Sequence, residues 1–170
     1  MKKMLLAMVA AAALISATAT AEVLPQGLYV GLGGDAVQNT AKNANTNGQA
    51  GVNVGYKFNQ FFTGEFDFRD AWSNGNQKGY QSTMFDLKVG TPINIGGSTL
   101  TPYALMGTGY RFAVKNNNTQ STVPVYNVGA GVVYPMSARV DLDVRYTYTD
   151  TFNSPSRDSN AVGVNFNYKY

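Results

Sequence analysis

From Gly27 onward, apolar and polar residues alternate nearly one for one, which is the period of a β-strand with two unlike faces. Eight segments carry the pattern: Gly27–Val37, Gln49–Phe58, Phe61–Trp72, Tyr80–Ile93, Thr99–Phe112, Val123–Pro135, Arg139–Asp150 and Ser159–Tyr170. The seventh is the clearest, with Val140, Leu142, Val144, Tyr146 and Tyr148 on one face and Asp141, Asp143 and Arg145 on the other. In the second, Val52, Val54, Tyr56 and Phe58 oppose Gly51, Asn53, Gly55 and Lys57. The third sets Phe62, Phe66 and Phe68 against Glu65, Asp67 and Arg69, and the fourth sets Phe85, Leu87 and Val89 against Asp86, Lys88 and Gly90. The eighth opposes Val162, Val164, Phe166, Tyr168 and Tyr170 to Gly163, Asn165, Asn167 and Lys169. The fifth and sixth are less regular; their polar faces are assigned to Gly107, Gly109 and Arg111, and to Asn127, Gly129 and Gly131.

The connectors alternate in length. Gln38–Gly48, Ser73–Gly79, Ala113–Thr122 and Thr151–Asp158 are long and polar, whereas Asn59-Gln60, Asn94–Ser98 and Met136-Ser137 are short. Long loops then gather at one end and tight turns at the other, as in outer-membrane barrels with short periplasmic turns, and both termini fall on the periplasmic side. Each segment has about the 9–11 residues that a tilted strand needs to cross a bilayer.

Parity alone does not say which face points inward. A soluble, lipocalin-like carrier buries the apolar face; a membrane barrel turns it outward. Composition favours the membrane. Charged residues are only 14% of the chain, against about 25% in soluble domains. The charged faces are rich in glycine, as a narrow interior requires. Aromatics gather near the strand ends, with Tyr56, Phe58, Phe62, Tyr134, Tyr168 and Tyr170 at the turn end and Trp72, Tyr80, Tyr110, Phe112, Tyr146 and Tyr148 at the loop end. That distribution matches two interfacial girdles. The expected fold is all-β, an eight-stranded antiparallel up-and-down transmembrane β-barrel.

The N-terminus has the parts of a secretory signal: Lys2 and Lys3, an apolar stretch Leu5–Ile15 too short to span a bilayer, and Ala19-Thr20-Ala21 as cleavage site. The expected division is a signal peptide over 1–21 and a barrel over 22–170. The precursor's net charge of +3 includes both of those lysines, so the barrel is close to neutral and has no basic run to bind nucleic acid. The chain has no Cys and no His, which excludes disulfides, thiolate metal sites and His-dependent catalysis.

With the signal segment, the eight alternating strands, Thr101-Pro102-Tyr103 opening the fifth and the ending Val164-x-Phe166-x-Tyr168-x-Tyr170, the sequence resembles the small outer-membrane barrels of the OmpA transmembrane domain, OmpX and opacity-like type. The resemblance implies a place in the bacterial outer membrane, in contact with its lipid and lipopolysaccharide. It also implies that the outer-membrane assembly machinery reads Val164, Phe166, Tyr168 and Tyr170, although the last residue in this family is most often Phe. The role it implies is structural or surface-interacting (envelope integrity, adhesion, a host surface ligand). The barrel enzymes of this membrane resemble one another in using a catalytic His, which is absent here.

The candidate chemistry lies in two places. By parity the interior holds the bases Lys57, Arg69, Lys88, Arg111, Arg145 and Lys169 and the acids Glu65, Asp67, Asp86, Asp141 and Asp143. An eight-stranded barrel is just wide enough for side chains to fill, and charges are tolerated there only when paired. The expectation is a structural polar plug, with a small gated ion path as the alternative and a periplasmic lipocalin-like carrier as the second. The carboxylate pairs Asp141/Asp143 and Glu65/Asp67 approach the spacing of about 5–5.5 Å used by retaining glycosidases. Pairing with the neighbouring bases is the simpler reading, and the lumen is too narrow for a sugar. The other place is the loop surface, where Lys42, Lys78, Lys115 and Arg157 put one base on each long connector. Their ordinary reading is solvation; their functional reading is contact with lipopolysaccharide phosphates or a host polyanion. No cofactor or metal is expected.

Overall fold

A computed structural model describes residues 27–40, 46–72, 79–114, 120–152 and 158–170. The candidate signal segment lies outside these. Nine strands follow one another: β1 (Leu28–Asn39), β2 (Thr46–Lys57), β3 (Phe62–Trp72), β4 (Tyr80–Gly90), β5 (Ile93–Ile95), β6 (Ser98–Val114), β7 (Gln120–Pro135), β8 (Val140–Thr151) and β9 (Ser159–Lys169). The described residues contain no helix. Each long strand pairs antiparallel with the next, and β1 pairs with β9 from Tyr29↔Lys169 to Asn39↔Ser159, which closes the sheet.

β5 is not a ninth wall. Gly90↔Tyr103 and Ile93↔Leu100 lie in one register, so β5 continues β4 along the same edge of β6. The break falls at Thr91-Pro92, where Pro92 has no N–H to give the ladder. The fourth segment expected from sequence is therefore one wall, and the barrel has eight. Gly96 and Gly97, at φ 60° and 84°, turn β5 into β6 with the type I′ geometry that two-residue hairpins favour. The other short turns are closed by side chains. Asn59 Oδ1 accepts from the backbone N–H of Phe61 and Phe62 at 2.8 and 2.9 Å, and Ser137 Oγ accepts from Val140 N–H at 3.1 Å.

The register fixes the barrel's girth. Paired residues traced around the wall run from Tyr29 through Gly55, Glu65, Asp86, Gly107, Asn127, Thr149 and Ser159 to Asn39, ten positions further along β1 than the start. With eight strands and that stagger, normal strand spacings give a tilt of about 40° and a backbone radius of about 8 Å. A radius of that size leaves room for one layer of inward side chains and little else.

The two faces are sorted as a membrane barrel requires. Leu32, Phe66, Phe85, Met106, Tyr146 and Val162 are each about half exposed around the outside, while Glu65, Asp67, Asp86, Asp143 and Arg145 are buried within. This excludes the lipocalin-like arrangement, whose apolar side chains would line the cavity. Trp72, Tyr110 and Tyr146 lie exposed toward the loop end, and Phe58, Phe62 and Tyr134 toward the turn end. Tyr80 departs from the expected girdle. It shares the inward parity of Ser82 and Asp86, and the Arg111 guanidinium stacks over its ring at 4.4 Å. The strands also run further into the loops than hydrophobic patterning indicated. β1 reaches Asn39, β2 starts at Thr46, β6 reaches Val114 and β7 starts at Gln120. Backbone pairing needs no apolar face once the hairpin leaves lipid, so the polar residues of the expected connectors extend the ladder.

Phe66, midway along β3 and paired with Phe85 at 5.8 Å between ring centroids, tests the outward assignment. Phe66→Arg is expected to cost about 2–4 kcal/mol in lipid vesicles, the penalty for a cation near the midplane. Urea unfolding followed by Trp72 fluorescence measures it.

Candidate functional site

β3, β4 and β8 turn their charged residues into the lumen, and the register sets Glu65 beside Asp86. Lys88 Nζ, from β4, lies 2.8 Å from Glu65 Oε2 and 2.8 Å from Asp143 Oδ2. Arg145, from β8, donates to Glu65 Oε1 at 2.8 Å and to Asp67 Oδ2. Asp67 is also bound by Arg69, whose Nε approaches Asp67 Oδ1 at 2.6 Å and whose Nη1 lies 3.3 Å from Asp35. Cation and anion thus alternate along the axis, as Lys88, Glu65, Arg145, Asp67, Arg69 and Asp35.

Neutral groups complete the network. Tyr29 Oη donates to Glu65 Oε2 at 2.6 Å and Tyr103 Oη to Asp143 Oδ1 at 2.5 Å. Asn53 Nδ2 donates to Glu65 at 2.8 Å and to Asn167 Oδ1 at 3.0 Å. These two asparagines meet across β1 at Gly31, where an added Cβ would run into both their Oδ1 atoms. Asp86 has no base partner among the described residues; it accepts from Asn127 Nδ2 at 2.9 Å. Carboxylate oxygens of Glu65, Asp67 and Asp86 lie within 4.8 Å of one another. Lys88, Arg69 and Arg145 already supply the positive charge that such a cluster attracts.

Not every charge expected in the interior joins this ladder. Lys57 is exposed at the turn-end mouth, and Asp141 pairs with Lys169 at 2.7 Å on the same rim, where Lys169 is 36% exposed. Arg111 sits toward the loop end, donating to Ser159 Oγ at 3.1 Å. Neither carboxylate pair suggested by spacing is open to a substrate. Asp143 is bound by Lys88 and Tyr103, Asp141 by Lys169, and Glu65 and Asp67 by the ladder. Lys42, Lys78, Lys115 and Arg157 lie outside the described residues.

A sequence profile described as "Outer membrane protein beta-barrel domain" matches residues 7–170. This chain belongs to that family. Membership places it in the outer membrane of Gram-negative bacteria, among OmpA-like barrels. Its fold is similar to that of Neisserial surface protein A, at 17% identity and TM-score 0.64 over 85% of this chain and 97% of that one. It is also similar to the N-terminal barrel of Pseudomonas aeruginosa OprF, at 17% identity and TM-score 0.56 over 85% and 100% of the two chains. The third is Ail, the attachment invasion locus protein of Yersinia pestis, at 14% identity and TM-score 0.52 over 85% and 97%. No curated protein matches the sequence.

Within this family barrel, Val164, Phe166 and Tyr168 share the outward parity of β9. Val164 and Phe166 are exposed, Tyr168 and Tyr170 stack edge-on at 5.2 Å, and Arg139 Nη1 donates to Tyr168 Oη at 3.0 Å. Sequence reasoning missed three members of the interior network, Asp35, Tyr29 and Tyr103. A signal for the first two was present. Tyr29, Gly31, Gly33 and Asp35 share one parity in β1, and the two glycines on it match the glycine-rich inner faces of the other strands.

Arg145 is the hinge of the charge balance. Arg145→Met leaves Glu65 and Asp67 short of a buried cation and is expected to lower stability by about 3–5 kcal/mol. Adding Glu65→Gln to it is expected to recover part of that loss. Urea titrations in vesicles of Arg145→Met, Glu65→Gln and the double variant, compared with the native chain as a double-mutant cycle, read the coupling.

Proposed function

We propose that this chain is a non-enzymatic outer-membrane barrel whose lumen is filled for stability and whose interactions are made by its long loops. The observation that carries this reading is the filled interior. Every buried acid of the ladder is held by a base or a tyrosine, so the lumen offers neither a reactive pair nor an open path. In this reading residues 1–21 are a cleaved signal peptide, both termini face the periplasm, and the four long connectors face outward. The assembly machinery would then recognise Val164, Phe166, Tyr168 and Tyr170 on the closing strand.

Each long connector carries one base, Lys42, Lys78, Lys115 or Arg157. A ring of four cations on a polar rim suits the phosphates of lipopolysaccharide or the sulfates of a host polysaccharide. The name of Ail associates that protein with attachment and invasion, and a surface-contact role here is consistent with it. The test uses intact cells displaying the protein and labelled heparin as probe. Cells with the native chain are expected to bind heparin, and cells with all four bases replaced by Ser to lose most of it at equal barrel content. Equal binding by both would remove the loop bases from the account. Binding by purified protein but not by intact cells would reverse the orientation.

A further inference from the structure

Below the charge ladder the lumen opens again. A cavity of about 430 Å³ lies between the Lys88–Tyr103 level and the turn-end mouth, whereas the loop-end half encloses only about 50 Å³. The smaller volume holds a few waters. The larger one has the size of a small-molecule site, and its walls have the mixed character of one. Phe61, Pro92, Val133 and Pro135 give it an apolar side. Lys57, Lys169, Thr63 and Thr101 give it a cationic and hydroxylic side.

The ammonium groups of this vestibule differ in their side-chain partners. Lys88, in its roof, is neutralised from behind by Glu65 and Asp143. Lys169 is paired with Asp141 at 2.7 Å. The Lys57 side chain makes no ion pair or hydrogen bond with a described residue, and Lys57 lines the cavity. The strand order sets Lys57 and Lys169 on the two strands flanking β1, and the residue bonded to Lys57 is Gly27, just before β1. Gly27 adopts φ +103°, and a Cβ there would strike the Lys57 carbonyl oxygen at 2.7 Å. Gly27 therefore places no side chain beside Lys57. An ammonium with no side-chain ion pair among the described residues, in a cavity lined by hydroxyls and apolar side chains, suits an anion that carries a hydrophobic body.

We infer that the turn-end vestibule is a binding site for a small organic carboxylate with an apolar body, its carboxylate held by Lys57 and its body against Phe61, Pro92 and Val133. The site shares no ligand-binding residue with the loops, so it stands or falls apart from the surface role. Nothing in it is reactive; the inference is of binding.

The experiment uses the barrel refolded in phosphatidylcholine nanodiscs, with backbone NMR shifts as readout and three probes: N-acetylphenylalanine, its neutral amide and inorganic phosphate. The acid is expected to move resonances at the turn ends of β2, β3 and β9 saturably and to bind about ten-fold more tightly than the amide or phosphate. Lys57→Gln, at an exposed position outside the ladder, is expected to weaken the acid about five-fold or more and leave the amide unchanged. Equal binding of acid and amide would overturn the inference, because the charge would then select nothing. Phosphate binding as tightly as the acid would overturn it too, since the apolar wall would then contribute nothing. Unchanged acid binding in the variant would remove Lys57. If the variant fails to fold, the three-probe comparison on the native chain still decides.

Discussion

A charge inside a barrel of about 8 Å backbone radius is tolerated only when ion pairs or hydrogen bonds hold it. The rest of this structure follows from meeting that constraint. The bilayer forces the sheet to close, because an open edge would leave N–H and C=O groups unpaired in lipid. Closure at eight strands with the observed stagger makes the interior narrow. Apolar residues are committed to the lipid face, so the inward face is left to polar and charged groups. Those groups persist because each carboxylate of the ladder meets a cation or a hydroxyl: Glu65 with Lys88, Arg145 and Tyr29, Asp67 with Arg69 and Arg145, Asp143 with Lys88 and Tyr103. Inward glycines give that network its room, as at Gly31, where Asn53 and Asn167 reach each other across β1.

Much of this was legible from the chain because strand parity is a strict period. Val140 to Tyr148 against Asp141 to Arg145 assigns β8 without ambiguity, and the low charge fraction decides which face is wet. Parity gives the face of a residue but not its depth. Lys57 and Arg145 share an inward parity, yet one sits at an open mouth and the other is 6% exposed at the centre. Depth depends on register, and register depends on pairings that one strand does not disclose. Where aromatics lie inward, composition misleads. Tyr80 was grouped with the loop-end girdle by its position near a strand end, while its parity and the Arg111 guanidinium place it in the lumen. Tyr103 was hidden for the related reason that both faces of β6 carry apolar residues at its turn end. The extension of β6 and β7 to Val114 and Gln120 was not legible either, since an extramembrane hairpin needs no hydrophobic pattern.

The same arrangement divides the molecule by function. Its middle is a stability element, with reactive-looking carboxylates consumed by pairing. In the proposed reading, the four bases of the long connectors serve the aqueous surface. Its turn end leaves a vestibule lined by Lys57, whose ammonium has no side-chain ion pair among the described residues. In the proposed reading, interactions are made at the two ends and the family barrel is the frame that holds them apart.

The central claim is that the ladder from Lys88 to Asp35 shuts the lumen. Planar-bilayer recording of the refolded barrel, with heat-dependent gel mobility as proof of folding, tests it most directly. The account predicts insertion without discrete current steps at moderate voltage. Steady, voltage-independent channels from the folded protein would contradict it and make the charge ladder an ion path instead of a plug.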